Sequence, residues 1–144
     1  MRENLDLLFG LLFVGCWFFY LKLLSIYTGW TSLGKEFGFK GKFTGRIFHY
    51  QKLGGYAIHH IGLNDEGLYL ALFFPFRPFH KPLFIPWKRI KFLYTRRPVF
   101  SGYYITVDGY AGIKFFLPDR TYERVADYIP VDSKPISVST GTGF

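Results

Sequence analysis

LLFGLLFVGCWFFYLKLLSIY, residues 7–27, constrains this chain more than any other stretch. As an α-helix it reaches about 31 Å, close to the roughly 30 Å hydrocarbon core of a bilayer. Its only charge, Lys22, lies near one end, where a long side chain can snorkel to the interface. Trp17, Tyr20, Tyr27 and Trp30 are the amphipathic rings expected at the membrane interface. A buried core helix normally shows a polar stripe, and this run has none. A signal peptide calls for a cationic start and a small-residue cleavage site; MRENLD carries little positive charge, and no such site follows the apolar run. The segment reads as a retained transmembrane helix. Arg2 is the only cation before it, whereas Lys35, Lys40, Lys42 and Arg46 follow it. The positive-inside rule then places the N-terminus outside and the larger C-terminal part in the cytoplasm, on a single-pass protein of the cell inner membrane.

Beyond the helix, a chain of 144 residues has room for one domain. Aromatics make up 22% of the chain, with Phe 18 and Tyr 11, a composition suited to half-buried sheets and membrane interfaces. Cys16 is the single cysteine, which excludes an intramolecular disulfide framework and multi-thiolate metal sites. The net charge of +8 points to polyanions or anionic lipid as charge-driven partners.

Residues 1–6 flank the helix at 7–27. The glycine-rich residues 28–43 read as a linker, 44–130 as a β-domain ending in a helix at 119–129, and 131–144 as a flexible tail. The strand pattern begins with a hairpin whose two arms, 45–52 and 56–62, flank Leu53-Gly54-Gly55. A two-residue turn at Gly54-Gly55 pairs His49 with His60. Asn64-Asp65-Glu66-Gly67 is the next turn, leading into LYLALFF. Pro78, Pro82 and Pro86 forbid long pairing in a central strand, so 76–82 reads as a protruding loop, with Ile85 and Trp87 in the core. Residues 87–97 alternate, with Ile90, Phe92 and Tyr94 on one face. Strands at 103–107 and 113–117 surround Asp108-Gly109, a hairpin signal because both residues tolerate positive φ. Tyr122, Val125, Ala126 and Ile129 then take helical spacing, with Asp119 as N-cap and Pro130 as terminator.

About seven short antiparallel strands followed by one amphipathic helix describe a mainly β fold: a small barrel or curved sheet with the helix plugging one opening. LNDEGLYL (63–70), FIPWKRI (84–90) and the helix at 118–129 carry a resemblance to the pleckstrin-homology-like superfold, in particular its bacterial, GRAM-type members. It covers residues 37–130. The whole arrangement also resembles small single-pass bacterial membrane proteins. The resemblance implies a non-enzymatic adaptor or lipid-facing module. Phosphoinositide-binding members carry a basic pattern around their first hairpin loop, which Lys40, Lys42 and Arg46 loosely echo; the tip here has only Lys52 beside it, so no ligand is implied.

The candidate binding stretch is 76–97. Between Glu66 and Asp108 there is no acidic residue, but Arg77, Lys81, Lys88, Arg89, Lys91, Arg96 and Arg97 are basic. Each cation close to an anionic surface adds about 1 kcal/mol of attraction. Phe76, Phe79 and Phe84 are placed to partition beside them. Membrane lipid and a membrane-protein partner are both expected; a stacking platform for nucleic acid is disfavoured on a membrane-anchored chain without an RNA-binding signature. Neighbouring His59 and His60 point to opposite faces of a strand, and His49 with His60 lacks a third ligand, so no metal or other cofactor is expected. Adjacent Asp65 and Glu66 suit a turn better than acid–base catalysis, and Ser25 and Ser101 lack a nucleophile elbow. The chain reads as a binding protein and not an enzyme: a small accessory subunit of a larger membrane complex or, as the alternative, a stand-alone anionic-lipid-binding domain. The orientation is checked by labelling a cysteine placed at Lys88 in a Cys16→Ala background; intact cells are expected to shield it from an impermeant reagent, and labelling from outside would invert the topology.

Overall fold

The computed structural model describes residues 2–49, 58–96 and 101–135. It contains an N-terminal apolar helix, two small antiparallel sheets and a C-terminal helix. Helix α1 runs Arg2–Tyr27. Every residue from Glu3 to Cys16 is exposed, so the apolar surface that begins at Leu5 runs round the helix rather than along one stripe. By length and composition α1 suits a membrane anchor or a signal sequence alike.

The chain does not continue as a linker, as the glycines suggested. Gly29 takes φ 76, and α2 (Trp30–Phe37) begins at once, burying Trp30, Leu33 and Phe37. These positions follow an i, i+3, i+7 helical stripe. Glycines at both ends of the segment obscured it. A side chain at Gly29 would meet Ile113 in addition to the left-handed backbone strain. Trp30 belongs to the core rather than a membrane boundary: it is 1% exposed, and its Nε1 donates to Lys81 O at 2.8 Å.

Sheet one pairs β1 (Arg46–His49), β2 (Ile58–Leu63), β3 (Gly67–Leu72) and β4 (Leu83–Pro86) in sequential order. His49 lies opposite His60, the register expected from a two-residue turn; the turn itself and the rest of the first hairpin's arms lie outside the described residues. At the next turn Asn64 Oδ1 accepts from the backbone N–H of Glu66 at 2.9 Å and Gly67 at 3.0 Å, an Asx arrangement that starts β3. β4, preceded by Pro82 and closed by Pro86, takes the edge of the sheet, a position that tolerates proline, and an isolated bridge joins its Leu83 to Gly38. Phe39, Phe43, Tyr69 and Phe84 form an aromatic cluster on this sheet, with Phe43 stacked on Tyr69 at 4.7 Å. Phe84 therefore packs on the sheet instead of being free to enter an interface.

Sheet two orders β5 (Ile90–Arg96), β6 (Ser101–Val107) and β7 (Lys114–Pro118). Among the described residues no ladder joins the two sheets, so the strands form two units rather than a closed barrel. Gly109 adopts φ 86, but the hairpin is longer than Asp108-Gly109 alone: Tyr110 N–H donates to Val107 O and Ile113 N–H to Tyr110 O, giving two successive turns. Helix α3 (Asp119–Val125) follows β7, then a 3-10 turn through Tyr128, burying Val125 and Ile129. Asp119 lies inside the helix rather than capping it, accepts a hydrogen bond from Ser101 Oγ, and is favourably placed for the helix dipole. Of the expected tail, Val131–Ser133 forms a 3-10 turn, and residues 136–144 lie outside the described residues.

The core draws on both sheets, α2 and α3. Because α2 is seated by a left-handed glycine, Gly29→Ala is expected to destabilise the detergent-solubilised chain by at least about 1 kcal/mol. Gly112→Ala, where a methyl group meets open space, is expected to stay within about 0.5 kcal/mol. Chemical unfolding of both variants checks this, and equal midpoints would remove the role given to Gly29.

Candidate functional site

The stretch 76–97 divides into two parts with different neighbours. The first packs against α1. Trp17 Nε1 donates to Pro75 O at 3.4 Å, and its ring lies 5.6 Å from Phe76. Phe18 meets the Phe79 ring edge-on at 6.3 Å. Further along the helix, fully buried Ser25 donates its hydroxyl to Phe79 O at 2.8 Å and also bonds Thr31 in α2. Phe79 holds φ 65, a strained value for a phenylalanine; the Ser25 bond at its carbonyl and the Phe18 contact at its ring hold it there. An open groove runs between Trp17 and Phe18 on the helix and Phe74, Pro75, Arg77 and Pro78 on the loop. Phe73, Phe74 and Phe79 are exposed beside it, Phe74 by 75%.

Of the cations here, Arg77 is exposed and spends its Nε on Leu72 O at 3.2 Å. Lys81 is exposed, while its carbonyl receives the Trp30 indole. Tyr20 and Lys22 are exposed on α1, and Tyr27 is 92% exposed.

The second part of the stretch faces α2 and the turn after β6. Arg89 Nη1 bonds Glu36 Oε1 at 2.7 Å, its Nη2 donates to Asp108 O at 2.8 Å, and its guanidinium lies 5.1 Å above Phe37. Tyr110 hydroxyl donates to Glu36 Oε2 at 2.7 Å, and Lys91 pairs with Asp108 at 3.1 Å. Arg89 and Lys91 thus neutralise acids of their own fold, although no acid is near them in sequence. Lys88 and Arg96 are exposed; Arg97 lies outside the described residues. The Tyr110 hydroxyl, followed by Arg89, holds Glu36 below its ordinary carboxylate value, and the same hydrogen bond raises Tyr110.

His80 is 1% exposed under the Trp30 ring. Its Nδ1–H donates to Pro78 O at 3.0 Å, and Nε2 is buried without a partner. Burial lowers its pKa and favours the neutral ring. Sequence reasoning, occupied with the pair of histidines in β2, missed this one; its place between two prolines was the available signal.

Among the described residues, no group of three His, Cys, Asp or Glu is placed to hold a metal. A cavity between the sheets, lined by Leu70, Ile105, Ile129 and other apolar side chains, has room of about 10 Å³ and offers no polar group to a ligand. The arrangement is suited to surface contact: an apolar flank where helix and loop meet, and a charge-paired flank beside α2. No protein-family model matches the chain, and searches of curated proteins and of solved structures find no match either.

The lowered His80 value makes the fold acid-sensitive. A neutral imidazole in the folded state contributes stability that is complete above the unfolded value of 6.5 and is lost as pH falls towards the lower folded value. Glu36, also lowered, contributes stability that is complete above 4.5 and is lost further down. Thermal unfolding against pH is expected to show a decline starting below 6.5 that His80→Gln flattens and Glu36→Gln leaves in place. A decline unchanged in His80→Gln would assign it elsewhere.

Proposed function

We propose that the chain is a non-catalytic, membrane-anchored binding module, a small accessory or stabilising subunit of a larger membrane protein complex. In this reading α1 crosses the cell inner membrane and the β body works at the cytoplasmic face. The observation that carries it is the exposure of α1: Leu7, Leu8, Leu11, Leu12 and Phe13 are each more than 60% exposed, with Phe9 alike. So much apolar surface on a long helix calls for lipid or another helix around it. Gly10 and Gly15 leave notches in that surface, since a methyl group at either would meet nothing, and notches let a neighbouring helix approach closely. The order of antiparallel strands and then a packed helix supports a pleckstrin-homology-like body, for which binding rather than chemistry is the expected work.

A second reading has the body engage anionic lipid on its own through 76–97. The exposure of Arg77, Lys81, Lys88 and Arg96 favours it; the pairing of Arg89 and Lys91 inside the fold reduces the charge on offer. Affinity purification of the full chain from native membranes in mild detergent, followed by mass spectrometry, separates the two. A stoichiometric membrane protein that survives a high-salt wash is expected. Recovery of the chain alone, with anionic lipid released by salt, would favour the second reading. Recovery from the soluble fraction would overturn both.

A further inference from the structure

The β body grips α1 over its C-terminal half, and this creates a shortfall in length. The free apolar segment Leu7–Cys16 reaches about 15 Å, roughly half of the hydrocarbon core it would have to cross. A helix that spans the bilayer must therefore keep about ten further residues, Trp17 to Ile26, at membrane depth. Those are the residues on which the 73–82 loop begins to dock, through Pro75 on Trp17 and Phe79 on Phe18.

We infer that this loop is a lipid-inserted wedge, with Phe73, Phe74 and Phe79 among the acyl chains of the leaflet that the body faces and Lys22, Arg77 and Lys81 at its phosphates. The inference rests on the transmembrane reading of α1. Irregular backbone tolerates lipid only when its polar groups are satisfied internally, and most of this loop's carbonyls are. Pro75, Pro78 and Pro82 have no N–H to satisfy. The carbonyls of Phe73, Phe74 and Arg77 accept from N–H groups three residues on. Arg77 Nε serves Leu72 O, Trp17 serves Pro75 O, the His80 ring serves Pro78 O, Ser25 serves Phe79 O and Trp30 serves Lys81 O. Three of those donors, Trp17, Ser25 and Trp30, come from the helices, so these carbonyls are satisfied from the loop's inner side. Its outer side is left with exposed rings: Phe74 is 75% exposed, Phe79 48% and Phe73 43%. An interfacial segment of this kind lies about 5–10 Å into the boundary between headgroups and chains. Exposed cations flanking the rings complement anionic headgroups, as they would not complement the apolar flank of a partner protein.

The test uses the full chain, purified and reconstituted in vesicles of phosphatidylcholine and phosphatidylglycerol. In a Cys16→Ala background a single environment-sensitive fluorophore is attached through Phe74→Cys, with Phe73→Cys as a second site. Phe13→Cys reports the middle of α1, and Gly112→Cys an open turn of the body. Brominated acyl chains quench from the lipid and iodide from the water. We expect bromine quenching at 13, 73 and 74, iodide quenching at 112, and iodide quenching at 74 several-fold weaker than at 112. Quenching by bromine at 13 together with iodide access at 73 and 74 would overturn the wedge and leave the anchor standing. Protection of 73 and 74 from both quenchers would overturn it in favour of protein cover, such as a second copy of the chain. Iodide access at 13 would overturn the transmembrane reading itself, and the wedge with it.

Discussion

Trp30 sits where the apolar helix, the second helix and both sheets converge, and its burial decides how they are arranged. An indole ring buried this deeply must find an acceptor for its N–H, and here the acceptor is the carbonyl of Lys81, on the chain entering β4. The ring also packs edge-on against His80 and against Phe115 in sheet two. With that one side chain in place, α2 cannot slide along β4, and the 79–82 segment cannot lift from the helices. Gly29 makes the burial possible by reversing the chain in a left-handed conformation immediately before it. Ser25 then extends the restraint back into α1, through Phe79 on one side and Thr31 on the other.

The result is a helix that is not hung from a flexible tether but clamped to the body over about half its length. Such a clamp transmits position: wherever α1 lies, the 73–82 loop lies beside it. If α1 is a membrane anchor, as proposed, the clamp couples its depth to the orientation of the β body. The charges follow the same division. On the flank away from α1, Arg89, Glu36, Tyr110, Asp108 and Lys91 hold α2 to the turn after β6. These are exposed pairs, worth little individually, and their effect is to offset two of the surface cations with acids beside them. The exposed cations Arg77, Lys81 and Lys88 remain on or near the chain that runs past the helix.

Much of this was legible along the chain. The turn chemistry of Asn64 to Gly67 located the start of β3, and proline spacing placed a loop before Leu83, because turn geometry and missing N–H groups act locally; that 83–86 pairs as the edge strand β4 was not legible. The opposition of His49 and His60 came from counting outwards from two glycines. The linker reading of 28–43 failed for a reason just as local: glycines 29, 34, 38 and 41 suggest flexibility, whereas Gly29 serves as a left-handed turn and Gly34 faces Leu83 within a packed helix. Trp30, an aromatic just beyond an apolar run, resembles an interface anchor in sequence; only its contacts with segments far away in the chain show otherwise.

By itself, then, the sequence determined the long apolar helix, the strand-rich body with its terminal helix, and the excess of positive charge, since each depends on composition and short-range periodicity. Only the tertiary structure decided which residues of the apolar helix are free, which cations are neutralised by acids distant in sequence, and which rings of a 22% aromatic chain remain outside the core. Those outcomes depend on groups far apart in sequence meeting in space, as Trp17 and Trp30 do with the carbonyls of Pro75 and Lys81, each more than fifty residues away.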